Sequence, residues 1–152
     1  MVKNVFKKLG KKQKNNKGFS LVELIVVIAI MAVLVGVLAP QLIKYVEKSR
    51  EATDIQTCDN IATALKTYYA DEEVSATATT VTVTLSKTEL GTGADAAVKD
   101  AGLTKAKIKG TKWTSDTIKI EYNKADGTIT YTGDSPYYHS ENDQFKKGAK
   151  TK

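Results

Sequence analysis

The sequence predicts an α+β fold in which one long, kinked N-terminal helix packs on an antiparallel sheet of three or four strands. Three observations lead to this class. An apolar run occupies residues 19–39, helical periodicity continues through residues 41–72, and alternating strand patterns occur at residues 79–85, 116–122 and 128–132. The chain of 152 residues has room for one domain and an appendage.

A basic leader occupies residues 1–18, which contain seven lysines and no acidic residue. Outside the leader, 16 basic and 17 acidic side chains remain, so the formal charge of +6 for the whole chain becomes −1 for the rest. The basic character therefore belongs to the leader, and no specific nucleic-acid partner is predicted for the body. Cys58 is the only cysteine, which excludes an intramolecular disulfide.

Residues 19–40 are predicted to form a membrane-spanning helix. At about 1.5 Å per residue, the apolar run covers about 30 Å, which is the thickness of the hydrocarbon core of a bilayer. No Ala-x-Ala-like cleavage site follows the run, so this segment is expected to stay in the chain, unlike an ordinary secretory signal. The leader lysines would keep their end in the cytoplasm and place the residues after Pro40 outside.

Glu23 is the only charged residue in the apolar run. A carboxylate within a membrane segment costs about 2.5–3.5 kcal/mol on insertion scales, so such a residue is by default a functional-site hypothesis. We therefore expect the function of this helix to depend on Glu23.

Residues 41–72 are predicted to continue the helix with one buried stripe and one charged outer face. The stripe predicted to face the core comprises Leu42, Tyr45, Val46, Ser49, Ala52, Ile55, Cys58, Ile61, Ala62, Leu65, Tyr68 and Tyr69. The predicted outer face comprises Lys44, Glu47, Lys48, Arg50, Glu51, Asp54, Asp59, Asn60 and Lys66. Gly36 and Pro40 predict a kink, because proline removes a backbone donor and clashes with the preceding turn.

Residues 73–152 are predicted to form a globular head with an antiparallel sheet and a polar tail. Asp126-Gly127 is a strong turn signal between the second and third strand patterns. A short helix is predicted around residues 94–101, with Gly102 as its cap. From residue 133 the chain becomes polar, and Phe145 or Tyr137 is expected to anchor the early part of this tail.

The head offers no catalytic pattern. His139, the only histidine, is predicted to be an ordinary surface residue, and no GxSxG, HExxH or P-loop sequence is present. Loop carboxylates of the kind found at Asp126, Asp134, Glu141 and Asp143 suit calcium, but they lack EF-hand spacing. We therefore predict no enzymatic activity, no cofactor and no metal site.

Residues 17–48 resemble the N-terminal segment of type IV prepilins, and the helix-then-sheet order fits the rest of that fold. The resemblance is carried by the stretch Gly18-Phe19-Ser20-Leu21-Val22-Glu23, behind a basic leader and ahead of an apolar helix. Three independent features coincide there: the leader, a glycine–aromatic junction, and an acid at the fifth position after the junction. The leader is longer than in the most familiar members, and the single cysteine excludes the disulfide-bounded loop that many members carry.

The resemblance implies a processing site and an assembly residue. In this family a membrane-embedded aspartyl peptidase cleaves after the glycine and methylates the new N-terminus, which corresponds to cleavage between Gly18 and Phe19 and N-methylation of Phe19. Glu23 matches the glutamate that the family uses in subunit assembly, and Pro40 matches a proline near which the helix bends. Cleavage would leave an ammonium at Phe19, and Glu23 of an incoming subunit could meet that ammonium on a neighbour.

The resemblance also implies partners and a location. The partners are the prepilin peptidase, other copies of the chain in a homopolymer, the membrane platform and assembly ATPase machinery, and the lipid bilayer before assembly. The chain would be a single-pass membrane prepilin with its N-terminus in the cytoplasm, and then part of an extracellular filament used for adhesion, twitching motility or biofilm formation. Two alternatives remain: a minor pilin or type II secretion pseudopilin, and a membrane-anchored binding domain that never polymerises.

Overall fold

The structure is a computed structural model that describes residues 18–70, 80–141 and 143–149. The chain divides into two compact units, residues 1–40 and residues 41–152. Its elements are the helices α1 (Leu21–Tyr69) and α2 (Ala96–Asp100), and the strands β1 (Thr80–Ser86), β2 (Thr117–Asn123), β3 (Ile129–Thr132), β4 (Tyr138–Glu141) and β5 (Gln144–Lys147). A 3-10 turn at Gly91–Gly93 precedes α2.

Helix α1 is one element of 49 residues that contains Pro40. This confirms the prediction of a single long helix running through the apolar and amphipathic segments. The helix ends at Tyr69, earlier than the predicted limit at residue 72, and residues 71–79 lie outside the described part of the chain. The kink at Gly36 and Pro40 stays a prediction.

The first sheet has the order β1-β2-β3, which the sequence does not predict, and its antiparallel pairing is as expected from the strand patterns. Ile120 of β2 lies opposite Val83 of β1 and Tyr131 of β3, so aliphatic and aromatic side chains share one face. That face is buried, while alternate positions on the strands are exposed or half-buried. The predicted turn closes with Gly127 at φ 72°, where a residue without a Cβ is favoured.

The core of the second unit joins one stripe of α1 to the buried face of this sheet. Cys58, Ile61 and Leu65 of α1 are fully buried in the same cluster as Leu85 and Ile118. Burial raises the pKa of the Cys58 thiol, which makes it an inert core residue, as its place in the helical pattern predicts.

Helix α2 is capped at both ends by local hydrogen bonds. The Asp95 side chain accepts a bond from the Ala97 N–H at 2.9 Å. At the other end Gly102 takes φ 70°, and the Leu103 N–H donates to the Val98 carbonyl at 2.9 Å. This is the glycine cap that the sequence predicts for a short helix in this region.

Within the segment predicted to be a polar tail, β4 (Tyr138–Glu141) and β5 (Gln144–Lys147) pair as a second, two-stranded antiparallel sheet. Its strands are short and mostly polar, so they lack the alternation that reveals a strand in sequence. Phe145 secures the hairpin, because its ring lies 5.7 Å from the Trp113 ring and 5.1 Å from the Tyr131 ring. The expected anchoring role of Phe145 is therefore confirmed, within a sheet instead of a tail.

His139 also departs from its prediction as an ordinary surface residue. It lies on β4 with its side chain only 14% exposed, Nδ1 is 2.9 Å from the Gly148 carbonyl oxygen, and Nε2 is 3.6 Å from Glu141 Oε2. These contacts fasten the second sheet, so His139 is a structural residue there.

The predicted faces of α1 are only partly correct over residues 42–54, where Lys44, Lys48 and Arg50 are exposed as predicted but three acids are not. Glu47, Glu51 and Asp54, predicted on the outer face, are buried at 6%, 0% and 0% exposure. Residues predicted to face the core in the same turns are exposed, namely Leu42, Tyr45, Val46, Ser49 and Ala52. The predicted inward stripe holds from Cys58 onward. The apolar periodicity therefore predicted the helix correctly but misplaced the inward stripe over residues 42–54.

Candidate functional site

The residues predicted to undergo processing lie immediately before α1. Gly18, Phe19 and Ser20 are outside the helix, which begins at Leu21. The Phe19 side chain is 91% exposed, and a Cβ placed on Gly18 would meet nothing within 4 Å. The peptide bond between Gly18 and Phe19 therefore lies in non-helical chain with open space around it.

Ser20 and Glu23 form a capping box that fixes where the helix begins. The Ser20 N–H donates to Glu23 Oε2 at 2.8 Å, and the Val22 N–H donates to Ser20 Oγ at 3.3 Å. The Ser20 carbonyl accepts the first helical bond from the Leu24 N–H at 3.1 Å. These bonds satisfy backbone donors that have no partner within the helix. The Ser-x-x-Glu spacing is a known signature of this motif, and the sequence-based interpretation of Glu23 missed it.

The capping box gives the charge in the apolar run a local role. Glu23 is the acidic residue of the first turn of α1, where a carboxylate interacts favourably with the helix dipole. A carboxylate that accepts a backbone N–H bond is also easier to place near lipid than an unpaired one. The Glu23 carboxylate thus has a hydrogen-bond donor within its own chain.

The first half of α1 exposes an apolar surface in which Glu23 is the one charged residue. Every residue from Leu21 to Leu38 is exposed, and the stretch is long and apolar enough to cross a membrane by length and composition. Gly36 lies on this surface with nothing within 4 Å of an added Cβ, so no close packing explains the glycine. Gly18, Phe19 and Glu23 are brought together at the start of α1, whereas Gly36 and Pro40 lie more than three turns further along it.

A cluster of three acids on α1 holds a loop of the head. Asp54 accepts bonds from the Lys109 and Gly110 N–H groups at 2.8 Å each, and from Trp113 Nε1 at 2.9 Å. Glu47 Oε1 accepts the N–H groups of Thr111 and Lys112. A helix side chain therefore captures each backbone donor from residue 109 to residue 112, and the loop needs no strand partner there.

Glu51 is the third member of the cluster and differs from its neighbours. The Ser135 hydroxyl donates to Glu51 Oε2, but Oε1 is buried and has no partner within the described residues. Burial raises the pKa of Glu51 above its ordinary 4.5, the Ser135 bond opposes the shift, and the Glu47 and Asp54 carboxylates add to it.

Glu47 shows the opposite shift. Burial alone would raise the pKa of Glu47, but the Thr111 and Lys112 bonds and the Arg50 guanidinium outweigh it and hold the pKa below 4.5. The cluster is therefore structural: one ionised carboxylate is stabilised by donors, and beside it one carboxyl is driven toward its neutral form. Within the described residues, no group of three or more His, Cys, Asp or Glu side chains is arranged to hold a metal ion.

Comparison with known proteins identifies the N-terminal segment. Residues 13–39 match the family defined as the prokaryotic N-terminal methylation motif, which covers the Gly18–Phe19 junction, the capping box and most of the exposed apolar surface. A relative in Clostridium perfringens, named prepilin peptidase-dependent protein A, is 39% identical over 80 residues, which are 51% of this chain. The match spans 56% of the length of that relative.

No solved structure matches the chain. The methylation motif and the relative support a pilin or pseudopilin type of function for the chain, in keeping with a structural protein. The same motif, together with the apolar first half of α1, indicates membrane anchoring. One long helix and two antiparallel sheets make an α+β arrangement, which is the fold class that the sequence predicts.

Proposed function

We propose that this chain is a structural subunit of a type IV pilus, inserted in the membrane as a prepilin and then polymerised into a surface filament. The observation that carries the proposal is the methylation motif at residues 13–39, which lies over non-helical chain at Gly18–Phe19 and a wholly exposed apolar surface behind it. Exposed apolar surface of this extent needs lipid or other subunits to cover it. A soluble monomer provides neither.

The processing step is proposed at the bond between Gly18 and Phe19, by a prepilin peptidase that also methylates Phe19. The name of the clostridial relative states dependence on such a peptidase, and the motif supports the same dependence for this chain. Proteolysis favours segments outside regular structure, and the capping box keeps this junction out of α1. Glycine before the cut permits close approach of a peptidase backbone.

Mass spectrometry of sheared surface filaments tests identity and processing together. We expect a mature chain that begins with methylated Phe19 and comes from filaments built of this chain. Recovery of only the unprocessed chain, in membranes, would contradict the proposal. Loss of protein export on deletion, without long filaments, would assign the chain to a pseudopilin instead, and a processed chain that stays monomeric in membranes would indicate a binding domain.

Glu23 is proposed to act in assembly as a charged partner for the Phe19 ammonium of a neighbouring subunit. Two substitutions separate this role from capping. Glu23→Gln keeps an oxygen that can accept the Ser20 N–H bond and removes the charge, whereas Glu23→Ala removes both. We expect both variants to insert in membranes and both to yield few filaments. Normal filament yield from Glu23→Gln would show that capping suffices and would refute the charge role.

The filament is further proposed to need the membrane platform and assembly ATPase machinery that the family uses. The finer role of the filament, in adhesion, twitching motility or biofilm formation, is proposed on the same resemblance. Pro40 and Gly36 are proposed as the place where α1 bends.

A further inference from the structure

Beyond Pro40, the head buries the acidic side chains at the start of this part of α1 and leaves the basic ones exposed. Residues 41–53 contain three basic residues, Lys44, Lys48 and Arg50, and two acids, Glu47 and Glu51. All three basic side chains are exposed, while both acids are turned into the head. The first exposed acid after Pro40 is Asp59. From residue 41 to residue 58, therefore, every exposed charged side chain of this helix is basic.

Lys44 and Lys48 are the two of these basic residues whose charge is not shared with an acid in the described part of the chain. They are four residues apart and so lie on one side of the helix, and neither makes an ion pair within the described residues. Arg50 differs, because its Nη1 lies 3.8 Å from Glu47 Oε2 and part of its charge is shared. The pair Lys44 and Lys48 is called the lysine pair below.

Large apolar side chains surround the lysine pair. Leu42, Ile43 and Tyr45 are 63%, 68% and 69% exposed, although they belong to the second unit and follow Pro40. Exposed apolar groups interleaved with lysines, with a tyrosine among them, are typical of a helix segment at a membrane–water interface. Lysine stems lie along apolar surface there and carry the ammonium to the polar layer.

The position along α1 fits that interface. Lys44 is four residues and Lys48 eight residues beyond Pro40, which corresponds to about 6 and 12 Å of helix. The headgroup layer extends roughly 5–7 Å beyond the hydrocarbon core, and a lysine side chain reaches back several ångströms more. We infer that the lysine pair, with Leu42, Ile43 and Tyr45, docks on an anionic lipid leaflet, the ammonium groups binding lipid phosphates. The inference depends on the membrane anchoring of the proposed function.

The docking surface would fix the depth of the subunit in the bilayer before assembly. Each lysine near an anionic surface strengthens association about fivefold, so the pair is expected to give a factor of about 25. The test uses the full chain in nanodiscs of phosphatidylcholine and phosphatidylglycerol in equal amounts, with bound lipids identified by native mass spectrometry. Wild type is compared with Lys44→Gln/Lys48→Gln and with the matched control Lys99→Gln/Lys119→Gln, which removes two exposed lysines of the head.

We expect the enrichment of phosphatidylglycerol over phosphatidylcholine to fall at least tenfold in Lys44→Gln/Lys48→Gln and to stay at the wild-type value in the control. The leader lysines contribute the same background to all three chains. Unchanged enrichment in an inserted Lys44→Gln/Lys48→Gln chain would overturn the docking surface alone. A chain that sodium carbonate strips from the bilayer would overturn the membrane anchoring itself. An enrichment that depends on dimers would assign the surface to a second copy and overturn lipid docking.

Discussion

Glu51 and Glu47 show how two identical side chains, one helical turn apart, meet opposite environments. Glu47 accepts two backbone N–H bonds and has an arginine nearby, so its charged form is favoured. Glu51 is fully buried beside two other acids, with a single hydroxyl donor, so its neutral form is favoured. The two residues therefore contribute to stability with opposite dependence on pH.

Glu51→Gln is predicted to stabilise the head at pH 8 by about 1 kcal/mol, since it removes a charge that burial disfavours. The folded-state pKa of Glu51 is raised above 4.5, so the wild-type chain loses stability as the pH rises from 4.5 through that raised value. Glu51→Gln does not lose this stability, and the difference in the free energy of unfolding between the variant and the wild type should vanish below pH 4.5. Urea unfolding followed by the fluorescence of Trp113, the only tryptophan, measures both effects.

Glu47→Gln is the matched control and should act in the opposite direction. The folded-state pKa of Glu47 is lowered, so its stabilisation is present above pH 4.5 and is lost as the pH falls through the lowered value. We expect a cost of about 1–2 kcal/mol at pH 8 from the weakened bonds to Thr111 and Lys112. Equal effects of the two substitutions at pH 8 would contradict the assigned environments.

At the scale of the elements, the loop at residues 109–113 approaches α1 closely. A Cβ on Gly110 would lie 2.8 Å from Glu51 Cγ, 2.8 Å from Trp113 Nε1 and 2.9 Å from Asp54 Oδ2. All three contacts are closer than a side-chain carbon normally allows, and two of the groups are tied by hydrogen bonds. Glycine is required there because the loop backbone approaches the helix closely.

Gly110→Ala is therefore predicted to destabilise the head by about 1–3 kcal/mol, because either the loop or the acid cluster must move. Gly93→Ala is the control, since an added Cβ there meets nothing within 4 Å and its φ is not positive. Urea midpoints compare the two variants with the wild type. A Gly110→Ala chain as stable as Gly93→Ala would show that the loop does not depend on this close approach.

At the scale of the whole molecule, the two units differ in how their apolar side chains are covered. Residues 41–152 contain the sheets, the acid cluster and the core that joins them to α1. Residues 21–38 bury no side chain and depend on lipid or neighbouring subunits for cover. The stability of the head is therefore contained within its own unit.

A chain truncated to residues 41–152 is predicted to fold alone, with a melting temperature within about 5 °C of the head transition of the full chain. The physical reason is that, among the residues that the structure describes, every buried residue of the core lies after Pro40. Near-UV circular dichroism measures the transition. The protein concentration is kept low because Leu42, Ile43 and Tyr45 are exposed and favour association. A fragment without a cooperative transition would show that the head needs the first unit.

The sequence by itself determined the long helix and the three main strands, and it suggested the proposed processing segment, because each depends on spacing within a few residues. Period 3.6, period 2 and the glycine–phenylalanine junction before an apolar run are all local signals. Only the tertiary structure decided which face of α1 turns inward over residues 42–54. The backbone donors that bind Asp54 and Glu47 lie 55 to 65 residues further along the chain, so no local pattern distinguishes a solvated acid from a buried one. The β4-β5 sheet was decided in the same way, by the packing of Phe145 on distant aromatic rings.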